Sequence, residues 1–167
     1  MKQIINSILK ASSLFLIIAV VFATGCQQQP DYSKELKPLF EKYYDVWRTG
    51  NLDDLNAIMD PNFTRHSDPG TSAEGLVNLK KLISEFRAIY PDFKLESNEE
   101  IYSENKFAGR WTMTFPSASA GREISIWGVN IIHFKNGKIV EEWDGFDNQS
   151  FMEQLGYIMM PPAAEKE

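Results

Sequence analysis

The chain reads as an α+β domain with its helices laid on one face of a curved antiparallel sheet. Three observations lead there. Apolar residues recur at helical spacing from Leu36 to Tyr90, the period changes to two from Phe93 onward, and Asn136-Gly137 separates two long apolar runs. Asn-Gly in that setting is a strong hairpin signal, because both residues tolerate the positive φ of a tight primed turn.

Each element follows in order. Leu36, Leu39, Phe40, Tyr43, Tyr44 and Trp47 form one face of a first helix, opposite Lys37, Glu41, Lys42, Asp45 and Arg48, and Gly50 ends it. Ser33 is placed to cap this helix, although Pro38 would then fall in the second turn. Leu52, Leu55, Ile58 and Met59 mark a short second helix that stops at Asp60-Pro61. Phe63 to His66 is one extended piece, and Ser67-Asp68-Pro69-Gly70 is a turn cluster. Thr71 and Glu74 are spaced as a capping box for a third helix through Leu76, Leu79, Ile83, Phe86 and Tyr90, halted by Pro91.

Strands are expected at 93–102, 107–115, 123–134 and 138–146, then a short helix over 149–155. In a two-residue hairpin, Phe134 faces Ile139, Ile132 faces Glu141, Asn130 faces Trp143 and Ile126 faces Asp147. Alternation then places Asn130, Ile132, Trp143 and Asp147 on one face. His133 and Asp144 fall on the other, where Trp127 and Phe146 are opposed.

The beginning of the chain has a different character. Lys2 and Lys10 precede an uncharged apolar stretch from Leu14 to Ala23, and Ala23-Thr24-Gly25 leads to the single cysteine, Cys26. Residues 1–25 read as a secretory signal whose apolar region is short for a membrane span, with Cys26 as the residue that receives a lipid after cleavage. Residues 26–33 are then a tether, 34–158 the folded domain and 159–167 a charged, Pro-rich mobile tail. This organisation places the protein in a bacterial cell envelope, anchored to a membrane through lipid on Cys26. The chain holds 17 basic and 23 acidic residues, for a net charge of −6, and Lys2 and Lys10 belong to the leader. Such an acidic domain is unsuited to binding nucleic acid or anionic lipid by electrostatics.

The motifs Gly50-Asn51-Leu52-Asp53, Asp60-Pro61-Asn62-Phe63-Thr64-Arg65-His66, Glu74-Gly75-Leu76 and Tyr90-Pro91-Asp92-Phe93 occur in that order. They are followed by Arg110-Trp111-Thr112, by Asn136-Gly137-Lys138-Ile139-Val140-Glu141-Glu142-Trp143 with Asp147, and by Gln154-Leu155-Gly156. Together this order and spacing resembles the SnoaL-like polyketide cyclases, or ester cyclases, of the NTF2-like superfamily. The resemblance implies a cone of helices closed by a strongly bent sheet around an apolar pocket. It also implies an acid–base aspartate near the end of the last strand, a position that Asp147 matches, and no metal or organic cofactor. The characterised cyclases are generally cytoplasmic, so an exported relative is not expected to share their substrate.

Asp147 is the leading catalytic candidate. Placed beside Trp143 and Ile126, its carboxylate would be desolvated and suited to proton transfer. The alternative is that Asp147, followed by Asn148-Gln149-Ser150, caps the last helix. A bulge at Asp144-Gly145 would exchange the faces beyond it. His133 is a second acid–base candidate, set against a plain surface histidine on the face away from Asn130. His66 could donate to a substrate carbonyl at a pocket mouth, or bond Asp68 and shape the turn. Asn130 is placed to help hold a developing enolate oxygen. Arg110 either binds an anionic substrate group or pairs with Glu141. Tyr44, Trp47, Trp111, Trp127 and Trp143 either line a pocket for a planar ligand or are core. The two histidines and scattered acids show no metal-site spacing. The function expected is binding of a small apolar or aromatic carbonyl compound, with acid–base proton transfer of cyclase or isomerase type. The competing class is an accessory lipoprotein that binds a ligand or forms a homodimer without any reaction.

Overall fold

The computed structural model describes residues 30–67 and 71–160. The expected signal segment, the first half of the tether with Cys26, the Asp68-Pro69-Gly70 part of the turn cluster and the end of the tail lie outside the described residues. Helix α1 (Ser33–Thr49) is followed by a 3-10 turn (Leu52–Asp54), α2 (Leu55–Ile58), β1 (Met59–Ser67), β2 (Ala73–Glu74) and α3 (Leu76–Ile89). Strands β3 (Lys94–Ser103), β4 (Lys106–Ser117), β5 (Arg122–Lys135) and β6 (Lys138–Phe146) precede α4 (Asn148–Gln154). They form one six-stranded sheet in the order β2-β1-β6-β5-β4-β3.

The apolar stripe of α1 buries Leu36, Phe40, Tyr43, Tyr44, Val46 and Trp47. Gly50 ends the helix at φ 78, and its N–H returns to the Val46 carbonyl at 2.8 Å. Only glycine adopts this left-handed conformation without a Cβ penalty. Two expected caps are corrected. Ser33 is already helical, with Tyr32 at the cap position and no side chain capping, and Pro38 sits inside the helix without ending it. Thr71 and Glu74 do not form a capping box. Ala73 and Glu74 pair instead with Arg65 and Thr64 at the sheet edge, and α3 opens after Gly75.

The short extended piece near His66 extends over nine residues and lies parallel to β6, so the sheet is mixed. Parallel neighbours need a long crossover, and everything from α3 to β5 lies between these two strands. All the remaining pairings are antiparallel. The Asn136-Gly137 turn has positive φ at both residues, 52 and 70, and Phe134 faces Ile139 as expected.

The register then shifts. His133 faces Glu141, Ile131 faces Trp143 and Asn130 faces Asp144, leaving Val140 as an extra residue in β6. A one-residue bulge exchanges every side chain beyond it between faces. Trp143 and Asp147 are therefore not the facing partners of Asn130 and Ile126, and Phe146 does not share a face with Trp127. Glu142, Asp144 and Phe146 turn toward the helices, while Trp143 joins Trp127, Val129 and Ile131 on the outer face.

Candidate functional site

A cavity of about 390 Å³ lies between the helices and the inner face of the sheet. Tyr43, Tyr44 and Trp47 of α1 reach it together with Phe86 of α3, Tyr90 and Trp111 of β4. Phe151 and Met152 of α4 complete an apolar wall, so α4 positions part of the chamber although it buries no residue fully. Into this wall the bulged strand brings Glu142 and Asp144, and the neighbouring strands bring Asn130 and Arg65.

These four side chains form one network. Arg65 pairs with Glu142 through Nη1 and with Asp144 through Nη2, the latter at 2.8 Å. Tyr43 O–H donates to Glu142 Oε2 at 2.7 Å, and Asn130 Nδ2 donates to Glu142 Oε1 at 3.0 Å. Trp111 Nε1–H donates to Asp144 Oδ1 at 2.9 Å, and Ser67 Oγ donates weakly to Asp144 Oδ2 at 3.4 Å. The Trp111 ring packs closely against β5 because residue 128 is glycine, where a Cβ would come to 2.2 Å from it. Arg65 also lies over the Trp47 ring at 5.4 Å, and its Nε–H donates to the Thr71 carbonyl.

Two carboxylates share one arginine in a place with little solvent. Buried charges persist only when paired and hydrogen-bonded. Burial pushes the Asp144 carboxyl up to about 6; Arg65 opposes the rise and Glu142 adds to it. Burial alone would lower Arg65, but Glu142 and Asp144 outweigh it and keep the guanidinium charged. Burial, reinforced by Glu142, raises both Tyr43 and Tyr44, so both keep their hydroxyl protons.

The structure separates the residues that the sequence singled out. Tyr44, Trp47, Trp111 and Asn130 line the cavity. Asp147 does not: its carboxylate accepts the Ser150 N–H at 2.9 Å as the cap of α4, and its own N–H bonds Trp127. The expectation of a base buried beside Trp143 and Ile126 is thereby corrected, because the bulge hands the inward position to Asp144. His66 and His133 stand on the outer face, on either side of Trp143, with ring centroids 4.7 and 4.9 Å from it. Both reach Glu141, at 2.9 and 3.4 Å. His66 is therefore not at the mouth of the cavity. Trp143 and Trp127 are 40% and 46% exposed there, and Arg110 lies over Trp127 at 5.5 Å instead of pairing with Glu141. With His66, Ser67, Val129 and Ile131, Trp143 lines an open groove on that outer face.

Arg65, Glu142 and Tyr43 escaped the sequence reading. One signal was available: alternation from the inward Phe63 carries Arg65 to the buried face of β1. Nothing flags Val140 as the bulge, so simple pairing puts Asp144 on the outer face and leaves Glu142 unremarked.

The model of one protein family, the SnoaL-like polyketide cyclases, matches residues 37–155. A candidate polyketide cyclase from Bacillus cereus ATCC 10987 is 28% identical, covering 72% of this chain and 80% of its own, with a TM-score of 0.64. A candidate SnoaL-like polyketide cyclase from Jannaschia sp. CCS1 is 12% identical over 80% of this chain and 100% of its own, with a TM-score of 0.68. An NTF2-like protein of unknown function from Burkholderia pseudomallei K96243 is 17% identical over 74% and 98%, with a TM-score of 0.63. The last two likenesses concern the fold alone. No curated protein matches the chain.

Proposed function

This chain belongs to the SnoaL-like polyketide cyclase family, and from that premise we propose that it binds a small apolar or aromatic carbonyl compound in the inner cavity and moves a proton on it. The observation that carries this reading is Asp144, a carboxylate whose side chain is 6% exposed where a polar cluster meets the mostly apolar wall of the cavity. Burial pushes its carboxyl up to about 6, so near neutral pH it is ionised yet poorly solvated. A general base works best when its pKa lies near the working pH.

In the proposed step the Asp144 carboxylate takes the proton from the carbon next to the carbonyl. The C–H electron pair becomes the C=C bond, and the negative charge gathers on the carbonyl oxygen. Tyr44 lines the same cavity; its oxygen accepts from Asn130 Nδ2 at 3.4 Å, which leaves its O–H to donate to that oxygen. The enolate then regains the proton from Asp144 at the same carbon or, where an adjacent C=C extends it to a dienolate, at the far carbon. Alternatively it attacks a second carbonyl of the same molecule, and the alkoxide that forms takes the proton from Asp144.

The test is deuterium exchange at the α-carbon of a benzo-fused ketone such as 2-tetralone, followed by NMR. Asp144→Asn should slow exchange by about 10²–10⁴-fold, the usual worth of a positioned base, while binding persists. Asp147→Ala should leave exchange intact and cost about 1 kcal/mol of stability through loss of the cap. Loss of exchange in the Asp147 variant with exchange retained in the Asp144 variant would refute the assignment.

One observation favours a second reading, a ligand-binding protein without a reaction. Arg65, Trp111 and Ser67 already occupy three of the roughly four acceptor positions of the Asp144 carboxylate. The same exchange assay separates the two, since a binding module takes up the ketone and exchanges nothing.

Two further parts of the proposal rest on other features. Residues 1–25 act as an export signal and Cys26 carries lipid, which holds the domain at a bacterial membrane; mass spectrometry of the N-terminal peptide tests this, and an unmodified Cys26 would refute it. The outer apolar face, with Trp127, Val129 and Ile131 exposed, supports pairing with a second copy. Light scattering that returns a monomer at every concentration would refute that part.

A further inference from the structure

Among the described residues, two buried side-chain polar atoms have no hydrogen-bond partner in the protein, Ser97 Oγ and Asn130 Oδ1. Only the second belongs to a residue that lines the inner cavity. Asn130 is 2% exposed, and its amide orientation is set by its neighbours. Nδ2 donates to Glu142 Oε1 at 3.0 Å and to the Tyr44 hydroxyl oxygen at 3.4 Å. The flipped amide would set a carbonyl oxygen against a carboxylate, with no hydrogen between them. The donor side of Asn130 is thus spent, and what remains is an acceptor. Asn130 therefore does not supply the enolate-stabilising donor that the sequence suggested.

Buried acceptors are rarely left unmet, because each then bears the full cost of its lost hydration. Of the cavity donors around Asn130, the Tyr44 hydroxyl meets its Nδ2 and not its Oδ1, and three others are engaged elsewhere. Tyr43 O–H is held by Glu142, Trp111 Nε1–H by Asp144, and the Arg65 nitrogens by Glu142, Asp144 and the Thr71 carbonyl.

We infer that Asn130 Oδ1 is a ligand-recognition atom, which accepts a hydrogen bond from a hydroxyl group on the cavity's occupant. The inference rests on reading the cavity as a ligand site, and it narrows the ligand from any apolar carbonyl compound to one that also carries a hydroxyl. The adjacent Tyr44 O–H donates to the oxygen of the same or a neighbouring group. A hydroxyl both gives and takes a hydrogen bond, so it satisfies the pair where a methyl ether cannot.

Titration calorimetry of the full chain with 2-naphthol and with 2-methoxynaphthalene tests this. The two probes share a ring system and differ in the one donor. The wild-type chain should bind 2-naphthol about fivefold more tightly or better, as expected for one net hydrogen bond. The preference should vanish in Asn130→Leu and survive in Asp144→Asn, in which the other plausible acceptor is neutralised. Should Asn130→Leu fail to fold, the wild-type and Asp144→Asn measurements still decide. Equal binding of the two probes overturns the inference and leaves the cavity reading in place, as when a buried water meets the amide oxygen. A preference that persists in Asn130→Leu, or disappears in Asp144→Asn, assigns the acceptor elsewhere and also overturns it. Binding of neither probe removes this inference together with the apolar ligand site proposed above.

Discussion

On the inner face of the β5–β6 hairpin, two carboxylates, one permanent cation and a tryptophan meet at Arg65, Glu142, Asp144 and Trp111. On the outer face, a carboxylate, two titratable bases and a tryptophan meet at Glu141, His66, His133 and Trp143. Glu141 and Glu142 are sequence neighbours, as are Trp143 and Asp144, and strand alternation sends the members of each pair to opposite sides. What separates the two clusters is solvent. Arg65 and Glu142 side chains are 9% and 2% exposed, whereas those of His66 and Glu141 are 44% and 33% exposed. Coulombic terms and desolvation costs both grow as water is removed. The inner cluster therefore carries a perturbed acid and demands complete pairing, while the outer one is a screened surface arrangement.

The largest expected effect comes from breaking the inner cluster. Arg65→Leu leaves Glu142 and Asp144 facing each other without a counter-ion, and removal of one partner from a buried pair costs about 3–5 kcal/mol. Urea unfolding at neutral pH measures it. A loss below about 1 kcal/mol would mean that water reaches both carboxylates and that the two faces differ less than their exposure indicates.

A smaller effect sharpens the comparison by pH. The Asp144 carboxyl has an ordinary value of 3.8 and is pushed up to about 6 by burial. Between those two values the folded state holds a proton that the unfolded state has released, so the Asp144 contribution to stability falls as pH rises through this window and is level above it. Most carboxylates with partners act in the opposite sense; Glu100, lowered by its bond with Lys37 despite partial burial, is one. The quantity to follow is therefore wild-type stability minus that of Asp144→Asn, measured from pH 4 to 7. It should decline up to about pH 6. A difference that rises with pH would show that Arg65 outweighs desolvation at this site.

The same two faces explain how much of the molecule was legible beforehand. The helices were legible because the stripe from Leu36 to Trp47 and the one from Leu76 to Tyr90 each commit a face to burial. The hairpin turn was legible because Asn136 and Gly137 are suited to positive φ, which both adopt. The site was legible only as far as the bulge. Tyr44 and Trp47 lie on a helix whose phase is set locally, and Asn130 lies on β5, where the alternation runs unbroken. Glu142, Trp143 and Asp144 lie beyond Val140, and no local preference marks that residue as the one to be left unpaired. The bulge is selected by long-range pairing, since β6 must match β5 on one side and β1 on the other. Arg65 was missed for a related reason: its strand has its partner far along the chain, so a short polar segment read as an extended piece with no assigned inner face.

The smallest expected effect comes from the outer cluster, and it tests whether that face is open to water in solution. Glu141→Gln removes the charge reached by both His66 and His133 but keeps a polar side chain of the same shape. Partly exposed pairs of this kind contribute about 0.2–1 kcal/mol at a pH acidic enough to protonate the imidazoles, and that contribution shrinks further with added salt. Urea unfolding of the variant at that pH, at low and high salt, should therefore give a loss within that range at low salt and less at high salt, with 2-tetralone binding in the inner cavity unchanged. A loss above about 2 kcal/mol that resists salt would instead show this face covered in solution, as the pairing of two copies proposed above requires. Such a loss would have to come from something covering Trp127, Ile131 and Trp143, and a second copy of the chain would make it depend on protein concentration, because association stabilises by mass action. Running the same titration at two protein concentrations thus tells a screened surface cluster from one that is desolvated by assembly.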